Sequence, residues 1–368
     1  MKILITITKG NIGGAQASIL TTAKGLRDRG HFVTVGLGEG EFLKNELNKL
    51  NIPVYIFKSL KRSLNPFKNI MFIFEIKKYL NNKKVDIIHF NSSNSLLGVI
   101  GVKLSKDKPK TIFTFHGLST LDSQYGNSFT RAIYWIIFKF LLNFIDKNIF
   151  VSYDNLEKAK EMNLVNDGSV IYNGINNKEL DFVDKNILIK EMEGRINKDL
   201  TNSYIIGSTG RLSWEKNYEF LIKIFPKILE IEPNTICIII GDGSEKSSLQ
   251  NLINKLHLED RIYLIGELKD AVRYLKVFDI SILPSLYEGL SISLIENMFA
   301  EIPTIASNVG GNKEVIGENF TYPLNNEEAF LRLFEKIHSN NIEQNFEKQK
   351  LLFTDSKMIE KLERIYKY

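Results

Sequence analysis

The sequence predicts an α/β protein built from two Rossmann-like units, each a parallel sheet covered by helices. Three observations carry that expectation. Apolar, β-prone runs alternate with stretches of helical spacing along most of the chain, the pattern of a parallel sheet with helices on both faces. The alternation breaks in a polar, strandless stretch from Asp181 to Ser203 and then restarts. A chain of 368 residues also suits two domains of ordinary size.

Taken in order, KILITIT opens the first half, followed by helical spacing over about 14–29 and by HFVTVGL. VDIIHF, KTIFTFH, KNIFVS and SVIYN read as the later strands. YIIGSTG restarts the pattern, and TICIIIG, RIYLIG, ISILPS and TIASNV follow, with helices at about 216–230, 245–257, 270–277 and 292–301. The expected division is a first domain over 1–185, a linker over 186–203, a second domain over 204–350 and a helical segment over 351–368.

Composition narrows the class. Hydrophobic residues make up 43% and charged residues 25% of the chain, values of a globular protein with a full core. The single cysteine, Cys237, lies in the apolar run TICIII and reads as a buried structural thiol. One cysteine leaves no disulfide framework, which fits a reducing cytoplasm. The start, MKILITITKG, has too short an apolar run for a signal peptide.

The net charge of +5 hides an asymmetry. Residues 1–180 hold 25 Lys and Arg against 14 Asp and Glu, a net of +11; the remainder holds 23 against 29, a net of −6. Within 58–84, eight cations stand against Glu75 alone, interleaved with Leu60, Leu64, Phe67, Ile70, Phe72, Ile73, Phe74 and Ile76. That is a basic amphipathic face suited to peripheral contact with an anionic membrane, with a plain solvated helix as the alternative. No recognised motif accompanies the basic region, so no nucleic-acid partner is expected. The run AIYWIIFKFLLNFI over 132–145 is the most apolar, but Arg131, Lys139 and Asp146 crowd it, and a spanning helix needs ~20 apolar residues. It reads as a buried helix before KNIFVS, or one dipping partly into a membrane interface.

The segment from Pro284 to Glu296 is the most informative for chemistry. An apolar strand, ISIL, leads into a Pro-Ser and Glu-Gly turn and then the helical SLIENMFA. Backbone N–H groups at such a helix N-terminus receive anions. Glu288 falls in the turn and Glu296 about two turns into the helix. Carboxylates beside an anion site suit a ligand that carries both phosphates and hydroxyls, such as a nucleotide sugar. Arg211 and Lys216 follow YIIGSTG at the start of a helix, where basic charge opposes the helix dipole and so points to an anionic ligand. His116 ends the strand TIFTF, where α/β sheets present ligand-binding residues. His89 sits similarly at the end of VDIIHF and could reach an acceptor or simply pack. The turn Gly13-Gly14 lacks the GxGxxG spacing, and no acidic residue closes the second strand, which argues against a dinucleotide site. No Asp-X-Asp motif occupies a plausible loop, so metal dependence is not expected.

Glu288 to Glu296, with Ala300-Glu301-Ile302-Pro303-Thr304-Ile305-Ala306-Ser307 and Val309-Gly310-Gly311-Asn312-Lys313-Glu314, resembles the signature of the retaining GT-B glycosyltransferases of family four, the glycosyl transferases group 1. Other pieces stand in that family's order: Gly13-Gly14-Ala15-Gln16, Phe113-Thr114-Phe115-His116-Gly117, Val170-Ile171-Tyr172-Asn173-Gly174-Ile175, Gly210 to Asn217, and Gly241-Asp242-Gly243-Ser244. The resemblance spans roughly residues 2 to 320. It implies two Rossmann-like domains facing a central cleft, with the final helix returning to the first domain. Its implied activity is metal-independent transfer of a hexosyl or N-acetylhexosaminyl group from a nucleotide-sugar donor, most often UDP-linked, with no other cofactor. The implied acceptor is a glycan or polyprenyl-linked sugar at the cytoplasmic membrane face, read by first-domain loops such as 58–70 and 116–130.

The resemblance also implies roles. Arg211 and Lys216 would hold the diphosphate, with backbone N–H groups around Gly289, Leu290 and Ser291. Glu288 would contact donor-sugar hydroxyls, Glu296 the ribose hydroxyls and His116 the donor sugar, while Gly13 and Gly14 would lie near the reacting centre. Asn173-Gly174 and Gly241-Asp242-Gly243 read mainly as shaping turns. The family's usual Phe-Gly is replaced by Leu290-Ser291, and Ser has less backbone freedom than Gly. A nucleotide-sugar epimerase or a non-catalytic nucleotide-sugar-binding partner on the same fold is the alternative; the epimerase would need catalytic acids and a second cleft histidine, and intact Arg211, Lys216, Glu288 and Glu296 argue against decay.

Overall fold

The computed structural model describes residues 1–62, 65–118, 121, 128–180, 183–339 and 344–367. They divide into two compact units, Met1–Ile175 with Phe353–Tyr368, and Asn176–Leu352. Each unit is one parallel sheet with crossover helices.

In the first unit the strands are β1 (Lys2–Lys9), β2 (Phe32–Glu39), β3 (Val54–Ile56), β4 (Ile87–Phe90), β5 (Lys110–Phe115), β6 (Lys147–Phe150) and β7 (Ser169–Val170). Their order is β3-β2-β1-β4-β5-β6-β7, with Leu4 of β1 paired to Thr34 on one side and Ile88 on the other. Residues Ile3 to Thr8 are all buried, as expected of a central parallel strand covered on both faces. Successive side chains point to opposite faces, and the two faces build separate cores. Ile3 and Ile5 pack with Ile19, Leu26 and Leu43 of the helices Gly14–Asp28 and Glu41–Lys49. Leu4 and Phe113 pack with Phe72, Val99 and Phe138 of the helices Pro66–Asn82, Gly98–Lys103 and Ser128–Leu142.

The terminal helix Asp355–Lys367 joins the first of these cores through Met358, Ile359, Leu362 and Tyr366. Glu363 on it pairs with Arg29 at 2.8 Å and His31 at 2.7 Å. The helix Pro66–Asn82 starts where Asn65 accepts from the Phe67 N–H at 3.0 Å and Pro66 takes the first turn, a position that needs no N–H donor.

In the second unit the strands are β8 (Tyr204–Thr209), β9 (Thr235–Ile240), β10 (Ile262–Gly266), β11 (Ile280–Leu283), β12 (Thr304–Ser307) and β13 (Thr321–Tyr322), in the order β10-β9-β8-β11-β12-β13. Cys237 is fully buried in β9, and burial pushes its thiol pKa up. It is therefore an inert packing residue.

Three expectations need correction. Residues 186–196 of the expected linker belong to a helix, Lys185–Ile196, capped by Asp184 and burying Leu188 and Met192 against Ile205, Ile236 and Ile238. Its apolar spacing is hidden among Lys190, Glu191, Glu193 and Arg195. The helix Ser128–Leu142, read as buried, covers only one of its faces: Phe138, Leu141 and Leu142 are in the core, but Ile133, Ile136 and Phe140 are exposed. The short strands β3 and β13 have no counterpart among the expected strands, being three and two residues long. Leu64 of the basic segment and residues 119–120 and 122–127 of the expected acceptor loop lie outside the described residues.

Candidate active site

In the second unit the strand order reverses between β8 and β11. Loops leaving the C-terminal ends of two such strands run in opposite directions, and α/β sheets bind ligands where they part. The loop after β8 carries Arg211 and Lys216, and the loop after β11 carries Glu288 to Ser291. Two hydrogen bonds stitch the loops together: the Leu286 N–H donates to the Glu215 carbonyl at 2.9 Å, and Asn217 Nδ2 donates to the Pro284 carbonyl at 3.1 Å.

The centre of the site is an ion pair. Lys216 Nζ donates to Glu288 Oε1 at 2.6 Å, and Ser285 Oγ donates to the same oxygen at 2.7 Å. The two charged side chains are only 18% and 12% exposed, so this is not a solvated surface pair. Arg211 is exposed on the same loop. That loop rests on the turn after β9: the Gly210 N–H donates to the Ile240 carbonyl and the Leu212 N–H to the Asp242 carbonyl, each at 3.0 Å. Gly241 has φ +153°, and a Cβ there would lie 1.9 Å from the Gly210 carbonyl oxygen. The turn thus needs glycine to let the Arg211 loop settle against it.

A second support comes from the turn after β12. Ser307 Oγ donates to the Ser285 carbonyl at 2.5 Å, and the Gly311 N–H donates to the Gly289 carbonyl at 2.9 Å. Gly310 has φ +52°, and a Cβ there would stand 2.1 Å from the Glu288 carbonyl oxygen. Val309-Gly310-Gly311 is therefore the brace that fixes Glu288. Sequence reasoning noted the pair of glycines as part of a signature but assigned no work to them, nor to Ser285 and Ser307.

Ser291 caps the helix Ile292–Ala300, its Oγ accepting from the Leu294 N–H at 3.4 Å. The Leu290 side chain is buried, which leaves its backbone as the part of the residue turned to the loop's open side. Glu296 lies four residues into this helix, a little over one turn, rather than two. Among the described residues its carboxylate has no hydrogen bond. Burial raises its pKa to about 7, and the nearby Lys216 charge pulls in the opposite direction. Part of the residue stays open to solvent. Lys216, Glu288 and Glu296 are thus brought together by two separate loops and a helix.

The first unit has the same kind of reversal between β1 and β4. Gly13 precedes the helix Gly14–Asp28 in extended backbone, φ 170°, with no side-chain cap and no acidic residue in the first turn. Thr8 Oγ1 and Ser92 Oγ, 2.8 Å apart, join the end of β1 to the loop after β4. Asn173 Oδ1 accepts from Ser18 Oγ at 2.8 Å, which ties the Asn173-Gly174 turn to that same helix.

His116 stands just past β5, its Nε2 3.0 Å from Asn91 Oδ1. Asn91 Nδ2 donates to the His89 carbonyl at 3.2 Å, which leaves Oδ1 as the acceptor and puts the His116 proton on Nε2. Burial lowers the His116 pKa to about 4, so the ring is neutral near pH 7. Among the described residues its Nδ1 is buried without a partner, and it carries an accepting lone pair. Asn91 was not anticipated from sequence. His89 is different: both ring nitrogens are used, by Tyr366 Oη at 2.7 Å and Thr114 Oγ1 at 2.6 Å. Burial, reinforced by His116, lowers its pKa to about 3. It packs, and does not reach an acceptor.

These two sheets with ligand-type loops at their reversal points are those of the GT-B fold. A model of the glycosyl transferases group 1 matches residues 190–350, and one of glycosyltransferase family 4 matches residues 12–179; the chain belongs to the GT-B glycosyltransferases of family four. It is 29% identical to an uncharacterized glycosyltransferase of Methanocaldococcus jannaschii, over 75% of this chain and 68% of the relative. It is 26% identical to the UDP-Gal:alpha-D-GlcNAc-diphosphoundecaprenol alpha-1,3-galactosyltransferase of Escherichia coli, over 84% of each chain. Among solved structures, Anabaena HepE in complex with UDP and glucose superposes with a TM-score of 0.83 at 19% identity, covering 100% of this chain and 99% of that one.

Proposed function

We propose that this glycosyltransferase moves a hexosyl or N-acetylhexosaminyl group from a UDP-linked donor, with retention of anomeric configuration and without a metal. The acceptor in this reading is a polyprenyl-linked or surface-polysaccharide glycan at the cytoplasmic membrane face. The observation that carries it is the Lys216–Glu288 pair beside Glu296 at the β8/β11 reversal. The Escherichia coli relative, named for a UDP-Gal donor and a diphosphoundecaprenol-linked acceptor, supports the choice of both substrates.

In this reading the donor diphosphate lies against Arg211 and Lys216, whose charges stabilise the negative charge that grows on the leaving nucleotide. Backbone N–H groups from Gly289 to Ser291 turn to the β-phosphate. When Lys216 moves to phosphate, Glu288 is released to accept from donor-sugar hydroxyls, and Glu296, ionised, accepts from the ribose. The acceptor hydroxyl attacks on the face the nucleotide leaves, and its proton passes to the leaving phosphate. The same proposal gives His116 Nδ1 a hydroxyl to accept from, and gives the uncapped turn after Gly13 and Gly14 an anionic neighbour. The lysines of 58–84 supply the electrostatic part of a peripheral membrane contact.

A thermal-shift screen against UDP, GDP, ADP and their sugars tests it. At 100 times its dissociation constant a ligand adds about 2.7 kcal/mol of stability. A shift with uridine nucleotides alone, lost in Arg211→Ala, is the expected result. A shift confined to another base would overturn the donor class, and no shift at all would overturn the donor site.

A further inference from the structure

We infer that the outer faces of the helices Pro66–Asn82 and Ser128–Leu142 together form a surface that inserts shallowly into an anionic lipid bilayer. The inference rests on the membrane-side part of the proposed function and goes further than charge attraction by 58–84. Both helices pack on the same side of the first sheet, with Phe72 and Ile76 of one and Phe138 and Leu141 of the other in a single core. Their opposite faces should then be polar, as on ordinary surface helices. They are not.

On the first helix Phe67, Ile70, Met71 and Phe74 follow one another at helical spacing and are 76%, 51%, 58% and 53% exposed. On the second, Phe129, Ile133, Ile136, Ile137 and Phe140 form one stripe, with Phe129 74% and Ile136 60% exposed. The remaining exposed positions of that stripe are Ala132 and Asn143, so it contains no charge. An apolar patch of this kind marks an interaction site.

The charges around the patch choose the occupant. Lys68 and Lys78 are exposed on the first helix; Lys103 ends the helix Gly98–Lys103 that lies between the two in the chain, and the exposed Lys106 and Lys108 follow it, with Asp107 between them. Lys103 Nζ stands 5.7 Å over the Phe144 ring, at the far end of the second stripe. Glu75 is engaged by Ser59, whose N–H and Oγ both donate to its carboxylate at 3.2 Å. A second copy of this chain would bring cation against cation, which is repulsive; an anionic headgroup layer pairs with them. No described helix is long and apolar enough to cross a membrane, and the second helix has 15 residues, fewer than the ~20 a span needs. It would lie in the interface plane with its apolar face among the acyl chains.

Co-sedimentation of the full chain with phosphatidylglycerol–phosphatidylcholine vesicles tests this, at low salt and at about 0.5 M NaCl, where exposed charges are screened. Binding that largely survives the salt is expected, because insertion of apolar side chains is not screened. In the fourfold variant Ile133→Ser, Ile136→Ser, Ile137→Ser, Phe140→Ser the partition coefficient should fall at least tenfold, with the nucleotide thermal shift unchanged. The triple variant Phe67→Ser, Met71→Ser, Phe74→Ser is an independent second probe, should the first fail to fold. Vesicle binding unaltered in both, or lost completely in salt, would overturn insertion while leaving the donor site standing. A dimer in light scattering that these variants dissociate would overturn it in favour of self-association. Vesicle insertion with no nucleotide shift would instead leave this surface intact and remove the donor reading.

Discussion

Where the strand order reverses between β8 and β11 the chain places Arg211, Lys216, Glu288 and Glu296; at the matching reversal between β1 and β4, and on the neighbouring β5, it places Gly13, Gly14, Asn91, His89 and His116. One topology carries an ion pair, Lys216 with Glu288, at one site and neutral rings at the other. The reason lies in what surrounds them. Lys216 and Glu288 sit mostly out of water because each is the other's partner, with Ser285 as a further donor. Among the described residues no acid stands beside His89 or His116, and burial holds both rings neutral. The second unit is equipped to meet charge and the first to exchange hydrogen bonds with hydroxyls. A nucleotide-sugar transferase needs both.

The largest effect should come from breaking the charged side. Lys216→Met and Glu288→Gln are each expected to lower kcat by about 10²- to 10³-fold, the cost of removing one well-placed charge partner at a developing anion. Each single variant also strands its partner, so its Tm should fall. The double variant should recover Tm, since both halves of the pair are then neutral, but not activity. Turnover and melting of the four proteins measure this directly. A double variant as active as the original would mean that the pair is structural and the catalytic assignment wrong.

A smaller effect is expected from the brace. In Gly310→Val the new Cβ cannot share space with the Glu288 carbonyl, 2.1 Å away, and φ +52° strains any β-branched residue. The loop must shift, at a cost of ~1–3 kcal/mol, and Glu288 must shift with it. A fall in kcat/KM of about tenfold, with UDP still bound, should appear in steady-state kinetics. Unchanged kinetics would show that Glu288 does not depend on the turn after β12 for its position.

How much of this was legible in sequence depended on separation along the chain. Strands such as KILITIT announce themselves because burial on both faces demands an unbroken apolar run, and the loop from Pro284 to Ser291 stood out because strand, turn and helix are contiguous. The helix Lys185–Ile196 was not legible, since two buried residues, Leu188 and Met192, hide among charges. Nor was the bond between Ser307 and Ser285, 22 residues apart, or that between His116 and Asn91, 25 apart. Residues 132–145 show the limit from the other direction: a helix apolar all round does not say which face its own core will cover. Only the packing of Phe138 and Leu141 reveals that the Ile136 face is left outside.

The smallest effect separates the two units by pH. Burial raises Glu296 from its ordinary 4.5 to about 7, so below that pH the free protein favours its protonated form. The sign follows: this group's contribution to stability is complete below pH ~4.5 and is lost as pH rises through about 7. Partial exposure of Glu296 discounts that contribution to ~1–3 kcal/mol. Ribose hydroxyls, being donors, need the ionised carboxylate, so nucleotide binding runs the other way and tightens as pH rises. From pH 6 to 7.5 the affinity for a UDP-sugar, whose diphosphate does not titrate in this range, should increase about eightfold. Calorimetry in two buffers of different ionisation enthalpy should also register a proton released on binding at pH 6. Glu296→Gln should bind more weakly and lose both signatures. The histidines of the first unit cannot mimic them, because they titrate at about 3 and about 4. A pH dependence that persisted in Glu296→Gln would place the titrating group elsewhere and take the ribose role from this residue.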